Sequence, residues 1–399
     1  MVVRSGSPRK NRPHRPCIAV AARKELKFVA RNFRADIDRI HMTTIIRIDP
    51  VNPEPEKIRE AASVIRRSGT VAFPTETVYG LGASGLDAAA CRKIFSIKGR
   101  PADNPLILHI RSASRLGEVA MDVGTKAARL SRAVWPGPLT MVLRKNPLIP
   151  SVVTAGQDTV AVRCPAHRIA LRLIGESGVP IAAPSANVST RPSPTKFEHV
   201  LQDLDGKVDV IIDGGDTTFG VESTIIDMTS EPPTLLRPGA FTVDDLEKYV
   251  GRISVPKSLH SGVAVGLPLA PGMKYRHYAP SKRLALADRT SVMLHAPEVA
   301  RAARKRVAIL CSMEAAARLG AHDAQSATII QLGSSSDLYD VAKNLFDAFR
   351  ALDRSSAELG IVERFEERGL GLAIMNRIYK ATGGLTVKSA EELAMLLGG

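Results

Sequence analysis

A chain of 399 residues exceeds one ordinary domain, so two are expected, and 44% hydrophobic residues suffice to build their cores. No apolar run approaches the roughly 20 residues that a membrane helix needs, and the four cysteines (Cys17, Cys91, Cys164, Cys311) lack CxxC or His-paired spacing. Helical membrane spans, disulfide frameworks and zinc sites are thereby excluded, and a reduced, cytoplasmic protein is expected. The net charge of +15 suggests a polyanionic partner, but residues 1–41 hold eleven Lys/Arg against three Asp/Glu, leaving +7 for the other 358 residues.

Residues 1–41 form an Arg-rich leader, expected to be a disordered extension ahead of a natural start at Met42. The alternatives are a transit peptide or an arm that contacts nucleic acid. Thr44 to Ile48 reads as a strand. Pro53-Glu54-Pro55 opens a helix with Ile58, Ala61, Ala62 and Ile65 on one face, stopped by Gly69. Strands follow at 70–73, 106–110, 139–143, 160–163, 181–183, 208–212, 222–228 and 234–237. Helices are predicted near 87–97, 112–121, 125–134, 166–177, 194–204 and 242–250, the last capped by Thr242. This alternation predicts an α/β domain over 42–250, with some later strands pairing antiparallel. Residues 251–281 have the Gly/Pro content of a linker and end in APGMKYRHYAP. From 282 to 399 a second, smaller α/β unit is expected, with strands at 284–287, 307–311, 328–332 and 359–362 and an amphipathic helix from Asp337 to Leu352.

Within this frame, Thr70–Ile110 is the densest motif. A buried strand breaks at Pro74 into the polar turn Thr75–Gly80, and a helix then leads to Lys98-Gly99-Arg100-Pro101, Asn104 and His109. An Arg fork and a Lys ammonium on one loop suit phosphate, although cations also favour helix C-termini. No Walker loop is present, so an ATP site must have another design. Further strand ends carry Arg163, Ser185, Asn187, Ser193, Ser223 and Arg237. Each alone is most simply a turn; together they describe a concave site lined by hydroxyls and guanidiniums. With no GxSxG elbow and no cysteine in a catalytic setting, chemistry would proceed by orienting reactants and neutralising phosphate charge.

The segments PTETVYGLGA, KGRPADNPLILHI, WPGPLT, DTVAVRCPAH, PIAAPSANVSTRPSPT, DGGDTTFGVESTI and LLRPGAF resemble the threonylcarbamoyl-AMP synthases, the YrdC-like family. The linker tail and second unit resemble its long, two-domain branch, from about Met42 to the C-terminus. The resemblance implies a twisted, open α/β sheet around a basic cavity, with a smaller Rossmann-like C-terminal domain whose linker folds over the cavity mouth. It implies that L-threonine, bicarbonate and ATP, with Mg2+ accompanying ATP, become L-threonylcarbamoyladenylate and pyrophosphate. Separate transferase proteins would pass the threonylcarbamoyl group to tRNAs reading codons that begin with A, so tRNA is an indirect partner. By position, Thr77, His109, Arg163, Ala183 and Ser223 would bind threonine. Arg100, Asn104, Thr159, Ser185, Ser193, Arg237 and Tyr278 would bind ATP, with Lys98 and Arg100 catalytic; no residue is assigned to metal. The rival classes are an RNA-binding module, whose affinity would fall steeply with salt and need no ATP, a related carbamoyltransferase domain, and a nucleotide binder without turnover.

Overall fold

The computed structural model describes residues 42–260, 278–319 and 326–398. These belong to one compact unit, Met42–Gly399. The expectations for residues 1–41, and for the linker tail immediately before Tyr278, lie outside the described residues.

The first sheet is built from β1 (Thr44–Arg47), β2 (Val71–Phe73), β3 (Gly80–Ser84), β4 (Ile107–His109), β5 (Ala120–Met121), β6 (Leu139–Lys145), β7 (Thr159–Arg163), β8 (Ile181–Ala182), β9 (Val210–Asp213), β10 (Thr224–Asp227) and β11 (Thr234–Arg237). Their order is β1-β9-β2-β3-β8-β4-β7-β6-β10-β11, with β5 added on β6. The sheet is mixed: β4 runs parallel to β7 and β6 parallel to β10, while β6–β7 and β10–β11 are antiparallel. Several elements depart from the sequence expectation, among them the strands β5 and Thr386–Val387. β3 was not anticipated, because Gly-Leu-Gly-Ala-Ser has poor strand propensity; it forms because both neighbours, β2 and β8, pair with it and all five residues are buried. The helix expected near 112–121 is a short 3-10 turn, Ala113–Glu118, containing a helix-weakening glycine, and the chain then enters β5.

Strand alternation sorts the side chains onto two faces. Leu108, Met141 and Val162 join the large core beneath helices Ala88–Lys98 and Thr125–Val134. On the other face, helices Pro55–Arg66 and Arg168–Ser177 cover β1, β9 and β2 through Ile58, Ile65, Ile169 and Leu173. Over β4, β7, β6 and β10 that same face carries only a small apolar cluster, Ile107, Val142, Ala161, Ile225 and Leu236. The helices of the first sheet stop short there, and this is where the site lies.

A second sheet, wholly parallel, comprises β12 (Arg283–Ala287), β13 (Val307–Cys311), β14 (Ala327–Gln331), β15 (Leu359–Val362) and β16 (Thr386–Val387), in the order β14-β13-β15-β12-β16. Helices on both faces give the expected Rossmann-like arrangement. The Leu338–Arg354 helix buries Val341, Leu345, Phe346, Phe349 and Leu352 as its period predicts. Val78 and Val221 of the first sheet's loops, with Tyr278, belong to the same apolar cluster as Phe346 and Met375. Arg350 bridges to Asp203 (Nη2–Oδ2, 2.9 Å) and to the Pro192 carbonyl (2.7 Å), both partners and the arginine being buried. Gly220 admits this packing: a Cβ there would lie 2.3 Å from the Lys343 Cα.

Candidate active site

Strand register, with a bulge between β10 and β11 at Ile225–Ile226, assembles the central row. His109 on β4 lies opposite Arg163 on β7, Arg163 opposite Thr140 on β6, Thr140 opposite Ile225 on β10, and Ile225 opposite Arg237 on β11. Directly opposed residues share a face, so two guanidiniums and an imidazole emerge on the side that the helices leave open. The cavity there is lined by Thr75, Val78, Tyr79, Gly80, Arg100, Ile107, His109, Arg163, Ala183, Pro184, Ser185, Glu222, Arg237 and Tyr278. Seven sequence-predicted site residues are thus in the wall itself: Arg100, His109, Arg163, Ala183, Ser185, Arg237 and Tyr278.

Others stand one contact behind. Thr77 accepts from Arg163 Nη1 at 2.9 Å, and Ser223 accepts from Arg237 Nη2 at 3.1 Å while sharing a hydrogen bond with Thr140 at 2.8 Å. Asn104 accepts from Arg100 through its side chain (2.6 Å) and its carbonyl (3.0 Å), and Ser193 donates to Glu222. Thr159 opens β7, at the opposite end of that strand from Arg163. Asn104 and Thr159 thus stand at one end of β4 and β7, and His109 and Arg163 at the other, with Arg237 in the same row as the latter.

Lys98 is the exception. It ends the Ala88–Lys98 helix but is buried, and its ammonium donates to the carbonyls of Ser185 and Asn187 rather than lining the cavity. Burial, then the nearby Arg100 charge, hold its pKa well below the usual 10.5, and it fastens the loop that presents Ser185.

The electrostatics favour an anion. Arg100 is half-buried, with hydrogen bonds to Asn104 and the Pro105 carbonyl (2.7 Å), all uncharged acceptors. Among the described residues no carboxylate pairs with it. Desolvation is the main force weakening its charged form, and a partly desolvated cation whose hydrogen bonds go to uncharged acceptors gains from an anionic ligand. Burial, reinforced by Arg163, pulls His109 from the usual 6.5 down to about 3, so its imidazole is neutral and serves as a hydrogen-bonding group.

Sequence reasoning missed three charged members. Glu76 pairs with Arg163 (Oε1–Nη2, 2.8 Å), both side chains being 5% exposed. Glu222 lies in the wall and pairs with Arg377 of the C-terminal domain (Oε2–Nε, 3.1 Å). Both glutamates stand inside motifs that the sequence singled out, but neither type suggests itself for an anion site. Arg377 sits on the Leu370–Thr382 helix, which is buried on nearly every side, and nothing local in the sequence connects it with residue 222. Among the described residues no cluster of three or more His, Cys, Asp or Glu could hold a metal ion.

Comparison with known proteins gives a consistent picture. A family model described as "Telomere recombination", the Sua5, YciO and YrdC group, matches residues 63–239, and one described as "Threonylcarbamoyl-AMP synthase, C-terminal domain" matches 241–383. The chain is 47% identical to a threonylcarbamoyl-AMP synthase of Pyrococcus abyssi, over 87% of this chain and 100% of that one. It is 44% identical to that of Bacillus subtilis, over 85% and 97% respectively. Its structure is similar to the crystal structure of P. abyssi Sua5 complexed with L-threonine, with a TM-score of 0.80 across 87% of this chain and 99% of that chain.

Proposed function

The chain belongs to the threonylcarbamoyl-AMP synthase family, and we propose that it joins L-threonine, bicarbonate and ATP into L-threonylcarbamoyladenylate, releasing pyrophosphate. The observation that carries this reading is the cavity wall, where Arg100, half-buried and bonded to uncharged acceptors, shares a space with His109 and Arg163. The three guanidiniums of that wall suit a polyanion together with the carboxylate of a small zwitterion.

On this reading, Arg163 receives the threonine carboxylate, with Thr77, His109, Ser223 and the Ala183 backbone fixing the rest of the amino acid. Threonine's amine attacks bicarbonate, forming a C–N bond and releasing water to leave an N-carboxylate. That carboxylate attacks the α-phosphorus of ATP, and the bond to the bridging oxygen breaks to expel pyrophosphate. Arg100 and Arg237 neutralise the phosphate charge that shifts during the step, and Asn104, Thr159, Ser185 and Ser193 orient the nucleotide. Tyr278 closes on the nucleotide from the linker. Mg2+ enters as ATP's own counterion. Separate transferase proteins then carry the group to tRNAs reading codons that begin with A. The buried free thiols Cys91, Cys164 and Cys311 support a reducing, cytoplasmic setting.

The decisive experiment incubates the protein with ATP, labelled bicarbonate and threonine, without RNA. Labelled threonylcarbamoyl-AMP is the expected product. Its absence, together with salt-sensitive RNA binding that needs no ATP, would favour the RNA-binding alternative instead.

A further inference from the structure

A carboxylate in the wall of a polyanion site needs an explanation. Glu222 is buried, lines the cavity and accepts the Ser193 hydroxyl proton. Although burial alone would favour its neutral acid, Arg377 and then Arg237 hold it below the ordinary carboxylate range, so it carries a negative charge beside the arginines assigned to phosphate.

Arg377 meets that charge from the other domain. It is fully buried, and its Nε lies 3.1 Å from Glu222 Oε2. Its Nη1 donates to the Pro238 carbonyl at 2.6 Å and its guanidinium lies 5.7 Å from the centre of the Tyr278 ring. One side chain thus grips the segments on either side of the site, immediately before Ser223 and immediately after Arg237. It also stacks against the tyrosine of the wall. Arg237 is the next cation in line for Glu222. Without Arg377, the carboxylate would turn to Arg237 and remove that charge from the ligand.

We propose that Arg377 is a positioning residue for the reaction: it neutralises Glu222 and so leaves Arg237 to the ATP phosphates, which makes the C-terminal domain part of the nucleotide site. This rests on the functional reading above. It assigns that domain a defined task, the supply of one counterion.

The test is steady-state kinetics of threonylcarbamoyl-AMP formation by the full-length protein, with titration of a non-hydrolysable ATP analogue alongside. Arg377→Met is expected to raise the KM for ATP and the analogue Kd by at least about tenfold, with a much smaller change in kcat. Adding Glu222→Gln to Arg377→Met removes the stray carboxylate and should recover most of that loss. A merely structural clamp would not be rescued in this way, because the double variant still lacks the bond to Pro238. Arg377→Lys, which keeps the charge and loses the fork, should hold ATP nearly as well as the parent and serves if the Met variant fails to fold. A double variant as impaired as Arg377→Met, a Lys variant as impaired as Met, or a Met variant with the parent's KM would each overturn the proposal. If the parent makes no threonylcarbamoyl-AMP, the functional reading fails by itself, and the analogue titration still reports on the role of Arg377.

Discussion

At Arg100 the consequence of truncation follows from its surroundings. The guanidinium is half-buried, with its hydrogen bonds going to the uncharged Asn104 and Pro105 carbonyl, so on the proposed reading ATP is the anion it was placed to meet. Arg100→Ala should lower threonine- and bicarbonate-dependent pyrophosphate release by at least about tenfold, read in a coupled phosphate assay. Near-parental turnover would remove Arg100 from the mechanism. His109 makes a different prediction. Its pKa is about 3 in the folded chain against the usual 6.5, so the unfolded chain takes up a proton first as pH falls. Stability is therefore undiminished by this group above the unfolded value and declines as pH drops from there towards the folded one, by about 1.4 kcal/mol per pH unit. Urea midpoints measured across that window should fall less steeply for His109→Gln than for the parent. At this scale the sequence was most informative about guanidiniums and hydroxyls at strand ends, whose types announce their chemistry. Glu76 and Glu222 were opaque because a carboxylate in an anion pocket makes sense only once its arginine partner is seen.

Single elements carry the site through register and close approach. Gly239, just beyond β11, lets that strand cross the Ser223 segment: a Cβ there would sit 2.3 Å from the Thr224 nitrogen and 2.6 Å from the Ser223 carbonyl carbon. Gly239→Ala must therefore push Ser223 and Arg237 apart. The expected result is a fall in kcat/KM on the order of a hundredfold for a protein that still melts cooperatively, since misplacement of about 1 Å is costly in an oriented site. Unchanged kinetics would mean that the crossing tolerates the shift. Most elements here were legible in the sequence because their apolar periods are strong, as in Pro55–Arg66 and Leu338–Arg354. β3 was not, because Gly80–Ser84 becomes a strand through its two neighbours rather than its own residues. The row from His109 to Arg237 was equally hidden, since pairing order cannot be read from spacing along the chain.

Over the whole molecule, the first sheet leaves half of one face uncovered by its own helices, and the second domain is fastened beside that gap. Arg350 is central to the fastening, with its buried pair to Asp203 and its bond to Pro192, just ahead of Ser193. Arg350→Ala leaves Asp203 only the half-exposed Arg191 as a partner and should cost about 3 kcal/mol in global stability, measured by denaturant unfolding. It should also raise the KM for ATP through Ser193; a stability loss with unaltered kinetics would separate docking from the site. Two α/β units were evident from composition and periodicity alone. Their mutual dependence was not, because Arg350, Arg377 and their partners are more than a hundred residues apart in the chain.

The burial of Lys98 makes its amine a chemical reporter. Buried against the carbonyls of Ser185 and Asn187, it is out of reach of an acylating reagent while that loop is closed. Its labelling rate in the native protein would measure how often the loop opens. A rate that slows as ATP is added would time the opening of the nucleotide site with no turnover required.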